Sequence, residues 1–207
     1  QVWFGRVPFE FDDGIEPVGA ANAALLMGYA GEPPLRGVEN DLSAMAAALD
    51  MRKNFSHRIG LLSGPDCTFR AFSGFLKCIS ASLSEDSLFV FYFSGHGSKN
   101  GLCLYDGALP PKILFGALES LPGQKLVLLD CCETNPFTQH GESDLLVITG
   151  ESPDKKMFEG RVTCFWNHGF PNMPFQGYLT RAFVKLLEER GSKINLKEAV
   201  KGLREYH

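Results

Sequence analysis

Two short segments of this sequence carry side chains suited to nucleophilic chemistry. The first is Ser94–Ser98 (SGHGS), which contains His96, and the second is Asp130–Glu133 (DCCE), which contains Cys131 and Cys132. A thiolate is an effective nucleophile near neutral pH, and an imidazole can remove the thiol proton and later give it to a leaving group. A histidine and a cysteine brought together would therefore act as a base and its nucleophile.

Both segments directly follow a strongly apolar run, namely Ser87–Phe93 (SLFVFYF) before the histidine and Lys125–Leu129 (KLVLL) before the cysteines. Such runs indicate buried strands, and functional groups of open α/β sheets gather beyond the carboxyl ends of the strands. Two strands that end at one sheet edge would bring His96 and a cysteine together. Gly97 has no side chain, so its backbone N–H could approach a substrate carbonyl and form an oxyanion hole with the Cys132 N–H.

Each of these residues also has a simpler interpretation. A histidine taken alone is more often a surface residue or a hydrogen-bonded polar residue, and a cysteine after a strand is usually a small buried hydrophobic residue. A disulfide between the adjacent Cys131 and Cys132 is a third interpretation, although such bonds are rare and strained. The residue types and their spacing leave these alternatives open.

The remaining sequence alternates short apolar runs with longer amphipathic stretches. This alternation predicts an α/β fold with a mostly parallel central sheet and helices on both of its faces. Further strands are predicted at Ala23–Tyr29, Arg58–Leu62 and Leu145–Thr149. Helices are predicted at Val38–Met51, Thr68–Leu83, Pro110–Leu121, Gly177–Glu189 and Leu196–Tyr206.

Length and composition predict one globular domain. With 207 residues, of which 44% are hydrophobic, the chain can bury one sizeable core, and we assign residues 23–207 to it and residues 1–22 to an N-terminal arm of unknown role. Because the chain begins with Gln1 rather than Met, we expect a processed form or a piece of a longer protein.

Charge and cysteine usage exclude several classes of protein. The net charge of -4 argues against a nucleic-acid partner, and the sequence has neither a signal peptide pattern nor an apolar run long enough for a membrane span. The six cysteines lack the spacing of a disulfide framework or a zinc site. We therefore expect a cytoplasmic protein without a metal cofactor or a membrane partner.

Four motifs resemble those of a known family, the caspase-like cysteine peptidases. FYFSGHG resembles the family's histidine motif and LLDCCE its Asp-x-Cys motif, most closely in metacaspases and their bacterial relatives. Leu35–Asp41 (LRGVEND) resembles the motif after the first strand, and Gly150–Asp154 (GESPD) resembles the segment after the small-subunit strand. Four motifs in the family's order argue against chance agreement.

The resemblance implies a caspase-like fold and hydrolysis of peptide bonds through a His/Cys dyad and a thioester acyl-enzyme. The family's nucleophile stands two residues after the Asp, which selects Cys132 as the nucleophile, with His96 as its base. Cys131 is then expected to face the core. In place of the His-Ser-Gly that follows the nucleophile in metacaspases, this chain has Glu133–Asn135 (ETN).

The resemblance also implies an acidic specificity pocket. The pocket residues of metacaspases correspond to Asp41 and Asp130, with Ser94 beside them. Two carboxylates in one partly dry pocket favour a cation, so the expected substrate is a protein or peptide with Arg or Lys before the cut. Without the resemblance, Asp41 would be read as a residue near a helix N-terminus and Asp130 as a strand-end turn residue.

Two other functions compete with peptide hydrolysis. A catalytically silent caspase-like scaffold or signalling adaptor would keep the fold without the activity, and a regulatory domain or partner outside this chain is compatible with either function. A flavodoxin-like binding protein is disfavoured, because the loop Ala30–Pro34 (AGEPP) lacks a glycine-rich phosphate cradle.

Calcium is not expected to be required for activity. Many metacaspases hold calcium with several Asp residues, whereas the acidic residues between His96 and Cys132 are only Asp106, Glu119 and Asp130. These carboxylates are too few for the oxygen-rich shell that Ca²⁺ takes. Peptide hydrolysis should therefore be unchanged by a chelator, and a loss of activity that added calcium restores would contradict this prediction.

Overall fold

The structure is a computed structural model that describes residues 2–4, 22–50, 55, 58–137, 144–149 and 177–190. The strands are β1 Val2–Phe4, β2 Ala23–Tyr29, β3 Ile59–Ser63, β4 Leu88–Gly95, β5 Gly97–Ser98, β6 Gly101–Leu104, β7 Gly107–Leu109, β8 Gln124–Asp130 and β9 Leu145–Thr149. The helices are α1 Val38–Asp50, α2 Phe69–Ser80, α3 Pro111–Glu119 and α4 Tyr178–Arg190. Short 3-10 turns lie at Gly64–Asp66 and Asn135–Phe137.

The central sheet has six strands in the order β1-β3-β2-β4-β8-β9, and every neighbouring pair is parallel. All residues of β4 are buried, which explains why its sequence is an unbroken apolar and aromatic run. Because the strands are parallel, their carboxyl ends lie at one edge of the sheet. The mostly parallel α/β sheet predicted from the sequence is confirmed.

Helices cover both faces of this sheet, as predicted. Side chains of successive strand residues point to opposite faces. Tyr92 and Leu128 pack with the apolar side chains of α1 and α4 on one face. Phe91 and Leu129 pack with those of α2 and α3 on the other. A strand residue two positions beyond Tyr92 or Leu128 therefore faces α1 and α4.

A small antiparallel sheet, β5-β6-β7, follows His96 directly. The Cys103 N–H on β6 donates a hydrogen bond to the His96 carbonyl at 2.9 Å. At the turn between β6 and β7, the Asp106 carboxylate accepts the Phe69 N–H at 3.0 and 3.2 Å, which fixes this hairpin to the N-terminus of α2. The small sheet thus holds the backbone at His96 and directly after it.

The predicted element bounds agree with the structure to within a few residues. The strands at Ala23–Tyr29 and Leu145–Thr149 have the predicted bounds. β4 extends beyond the predicted Phe93 to Gly95, because its last residues continue to pair with β2 and β8. The predicted helix at Leu196–Tyr206 and the segment Gly150–Asp154 lie outside the described residues.

The structure adds two findings on the arm and on membrane insertion. Val2–Phe4, within the predicted N-terminal arm, pairs in parallel with β3 at one edge of the sheet. In the part of the chain that the structure describes, no helix combines the length and the apolar character that a membrane span needs.

Candidate active site

The carboxyl ends of β2, β4 and β8 bring the predicted site residues to one edge of the sheet. Gly28 on β2 pairs with Ser94 on β4, and Ser94 pairs with Asp130 on β8. His96 comes two residues after Ser94, and Cys132 comes two residues after Asp130. The segments that contain His96 and Cys132 therefore follow neighbouring strands that end at the same edge of the sheet.

Gly97 is packed directly against the cysteine segment. A Cβ added to Gly97 would lie 2.0 Å from the Cys132 carbonyl oxygen and 3.2 Å from the Cys131 sulfur. No side chain larger than hydrogen fits there without moving one of the two segments. The close backbone approach of the histidine and cysteine segments therefore requires glycine at this position.

The His96 ring is oriented by backbone groups of the loop after β2. Its Nε2 lies 2.9 Å from the Pro33 carbonyl oxygen, and a Cβ on Gly31 would lie 2.5 Å from its Cδ2. A carbonyl oxygen can only accept a hydrogen bond, so Nε2 carries the proton in this contact. In the neutral imidazole Nδ1 is then the basic nitrogen. Neither Gly31 nor Pro33 was identified from the sequence, because their roles depend on a contact between distant segments.

The two adjacent cysteines have different environments. Cys131 is buried in the core on the α2 and α3 face, as expected, whereas Cys132 is partly exposed. None of the five cysteines in the described ranges forms a disulfide bond, which excludes the vicinal disulfide in this structure. Glu133, the next residue, has a φ of 55°, a left-handed conformation that is uncommon for a side chain other than glycine. The chain therefore turns sharply after Cys132.

Asp41, Ser94 and Asp130 lie in one polar cluster on the α1 and α4 face, hereafter the carboxylate cluster. Ser94 Oγ donates to Asp41 Oδ2 at 2.8 Å, and the Gly177 N–H donates to Asp41 Oδ1 at 2.8 Å. Thr180 donates to Asp130 Oδ2 twice, from its N–H at 3.0 Å and from its hydroxyl at 2.6 Å. The three predicted residues are thus brought together by the strand ends, α1 and the first turn of α4.

Two residues next to the carboxylate cluster, Tyr92 and Thr180, were not identified from the sequence. The buried Tyr92 hydroxyl forms a short hydrogen bond with the Thr180 hydroxyl. When Thr180 gives its hydroxyl proton to Asp130, Tyr92 must be the donor in this bond. Tyr92 lies within an apolar run that indicated only a buried strand, and Gly177 and Thr180 lie where the sequence indicated only the start of a helix. No local pattern marks these residues, because their roles depend on contacts between distant segments.

Burial makes the carboxylate cluster hold a proton at neutral pH. Asp41 is completely buried, and burial together with the neighbouring Asp130 raises its pKa from 3.8 to about 8. Hydrogen bonds from Gly177 and Ser94 act in the opposite direction but do not offset this. Burial also raises the pKa of Asp130, while its bonds from Thr180 lower it. Two close carboxyls in a dry site therefore do not both ionise readily.

No metal centre is apparent in the described ranges. Among these residues, no group of three or more His, Cys, Asp or Glu side chains could hold a metal ion. Both carboxylate oxygens of Asp41 and Oδ2 of Asp130 accept hydrogen bonds from protein groups.

The parallel sheet, the helices on both faces and the His and Cys segments at adjacent strand ends are features of caspase-like proteins. A model of the caspase-domain family matches residues 21–205, and the chain therefore belongs to this family, whose fold is that of a cysteine peptidase. No curated protein matches the chain.

Among solved structures, the chain is similar to a protein from Geobacter sulfurreducens. The two share 24% sequence identity with a TM-score of 0.48, over 54% of this chain. This chain matches 50% of the length of that protein.

Replacing Asp41 by Asn should weaken the pH dependence of stability. The folded-state pKa of about 8 exceeds the ordinary 3.8, so the stability that depends on the Asp41 proton is complete below the lower value and is lost as the pH rises through the higher one. We expect the free energy of unfolding, measured with urea at about pH 5 and about pH 8.5, to fall less in Asp41→Asn than in the wild type.

The exposed Glu85 provides a control with the same change of charge, and Glu85→Gln should keep the wild-type pH dependence. An equal fall of stability in the wild type and in Asp41→Asn would show that Asp41 does not retain a proton.

Replacing Gly97 by Ala should destabilise the fold. The new methyl group would meet the Cys132 carbonyl at 2.0 Å, and overpacking of this kind costs about 1–3 kcal/mol. Gly116, on the exposed side of α3 with no atom within 4 Å of an added Cβ, is the matched control. Gly116→Ala should stabilise the protein by about 0.5–1 kcal/mol. Urea unfolding measures both, and a Gly97→Ala variant as stable as the wild type would refute the close packing.

Proposed function

We propose that this chain is a cysteine endopeptidase that hydrolyses peptide bonds after Arg or Lys in a protein or peptide substrate. The observation that best supports the proposal is the carboxylate cluster, because Asp41 and Asp130 lie together at the strand ends that precede His96 and Cys132. A nucleophile with its base, next to a buried acidic group, is the combination that cleavage after a cationic residue requires.

In the proposed reaction His96 and Cys132 act as a dyad. The thiol proton of Cys132 passes to Nδ1 of His96, because Nε2 already holds a proton toward Pro33 O. The thiolate attacks the carbonyl carbon, and the C–N bond then breaks as His96 returns the proton to the departing amine. A water molecule, deprotonated by His96, hydrolyses the thioester and frees the thiol. Gly97 and Cys132 backbone N–H groups stabilise the oxyanion in both steps.

The carboxylate cluster supplies the proposed preference for a basic side chain. A guanidinium or ammonium group favours the ionised carboxyls, so the cluster releases its proton when the substrate binds. Asp41 is fully buried and already accepts the Gly177 N–H, so the substrate cation takes the place of that donor. Binding therefore requires residues 177–180, which carry the donors to both carboxylates, to shift away from the cluster.

The same burial favours one alternative function. Asp41 has no exposed surface, and both of its oxygen atoms have protein donors. A pocket that stays closed in this way would suit a catalytically silent scaffold or signalling adaptor.

The proposed location of the protein is the cytoplasm. The five cysteines that the structure describes are thiols rather than disulfides, as is usual for proteins of a reducing compartment.

Hydrolysis of fluorogenic peptides tests the proposal. The peptides end in Arg, Lys, citrulline or Asp, and citrulline is the neutral counterpart of Arg with nearly the same shape. We expect the wild type to cleave after Arg and Lys and to cleave poorly after citrulline and Asp. Cys132→Ala should lose at least about a thousandfold in rate, as removal of a nucleophile does in other hydrolases. Cys131→Ala should retain activity, because Cys131 is buried in the core.

The other outcomes separate the parts of the proposal. Cleavage after Asp, or equal cleavage after Arg and citrulline, would refute the acidic pocket but leave the peptidase. Activity lost in Cys131→Ala and kept in Cys132→Ala would reassign the nucleophile. A folded wild type that cleaves none of the peptides, with or without calcium, would favour the scaffold.

A further inference from the structure

Three aromatic side chains, Tyr29, Phe69 and Tyr105, form a partly exposed surface beside the candidate site, hereafter the aromatic patch. The rings of Tyr29 and Tyr105 meet edge to face, with centroids 5.8 Å apart. Tyr105 and Phe69 are 55% and 46% exposed, and in the described ranges only Ile113 is a comparably exposed large hydrophobic residue. Two of these three residues thus lie near each other, and exposed apolar residues that cluster, unlike scattered ones, are typical of binding surfaces.

Two hydrogen bonds hold the aromatic patch in place. The Tyr105 N–H donates to the Cys67 carbonyl at 2.9 Å, and the neighbouring Asp106 accepts the Phe69 N–H at 3.0 Å. The backbones at Phe69 and Tyr105 are therefore held close to each other, although the two residues belong to a helix and a hairpin turn. A rigid exposed aromatic surface binds an apolar group with little loss of conformational freedom.

The strand order places His96 between Cys132 and the aromatic patch. Cys132 follows β8 and His96 follows β4, while Tyr29 ends the next strand, β2, and Phe69 follows β3. Tyr29 is paired with Gly95, the residue before His96. Neighbouring strands are about 4.8 Å apart, so the ends of β2 and β3 lie about 5 Å and about 10 Å from the end of β4.

The proposed reaction fixes which part of a substrate passes over this surface. The acyl part stays on Cys132, whereas the departing amine must contact His96 to receive its proton. The chain after the cut therefore lies on the His96 side of Cys132, which is the side of the sheet where β2 and β3 lie. Tyr29 packs with the core on the α2 and α3 face, and the carboxylate cluster lies on the opposite face. The two surfaces therefore contact different parts of the substrate.

We propose that the aromatic patch binds a bulky apolar side chain two or three residues after the cut, a preference that rests on the proposed peptidase function. An extended peptide advances about 3.3 Å per residue, so the second or third residue past the scissile bond reaches about 7–10 Å, as far as the ends of β2 and β3 beside the aromatic patch. Burial of an aromatic or aliphatic side chain against these rings removes apolar surface of both partners from water.

Internally quenched peptides with Arg before the cut test this subsite. One peptide has glycine at the first three positions after the cut, and three others carry Phe at one of these positions. We expect Phe at the second or third position to raise kcat/KM by about tenfold over the glycine peptide. In Tyr105→Ser and Phe69→Ser this ratio should fall to nearly one, whereas Ile113→Ser, which alters the exposed residue on α3, should keep it.

The ratio compares two peptides on the same preparation, so a partly unfolded variant does not alter it. Equal hydrolysis of the glycine and Phe peptides by the wild type would overturn the subsite and leave the peptidase intact. Hydrolysis of neither would overturn the proposed function and the subsite with it. A shift from dimer to monomer in Tyr105→Ser by analytical ultracentrifugation, without a change in the ratio, would assign the surface to a second copy of the chain and also overturn the proposal.

Discussion

The pairing of β4 with β8 determines where every candidate catalytic group lies. In the observed register Ser94 is opposite Asp130, and both side chains face α1 and α4. A slip of one residue would turn the slipped strand's side chain toward the apolar core under α2 and α3. It would also displace the His96 segment by one residue relative to the Cys132 segment. The register is strongly held because both strands are buried on both faces, so a slip would place polar side chains among apolar ones.

Burying two carboxyls beside one another is costly, and the structure offsets the cost with specific contacts. Removing a carboxylate from water costs several kcal/mol, which a retained proton and hydrogen-bond donors reduce. The donors come from Ser94 on β4 and from Gly177 and Thr180 at the start of α4. The cluster therefore links α1, both strands and α4. An apolar cluster would serve stability equally well, so a polar one at the strand ends is more typical of a functional site.

The sequence alone predicted the parts of this protein that depend on local pattern. β2 and β9 were predicted with their observed bounds, because each is a nearly unbroken apolar run; β2 is buried, whereas β9 is only half-buried. β1 and β5 have only two or three residues, too few to show a period of two, so they were missed. Asp41, Ser94 and Asp130 were grouped through the family resemblance rather than through spacing. Contacts made across the fold, such as those of Pro33 and Thr180, left no local signal.

Backbone groups rather than side chains set the orientation of His96. The Pro33 carbonyl holds Nε2, and the Cys103 N–H holds the His96 carbonyl. Every residue type provides the carbonyl and every type except proline the N–H, so the orientation depends on the path of the loop after β2 and of the β6–β7 hairpin. The loop is closed by a hydrogen bond from the Leu35 N–H to the Ala30 carbonyl. Gly31 is the exception, because a Cβ there would lie 2.5 Å from the imidazole. The contact with Pro33 thus determines which His96 nitrogen is basic, and the loop that makes this contact begins at the end of β2, inside the parallel sheet.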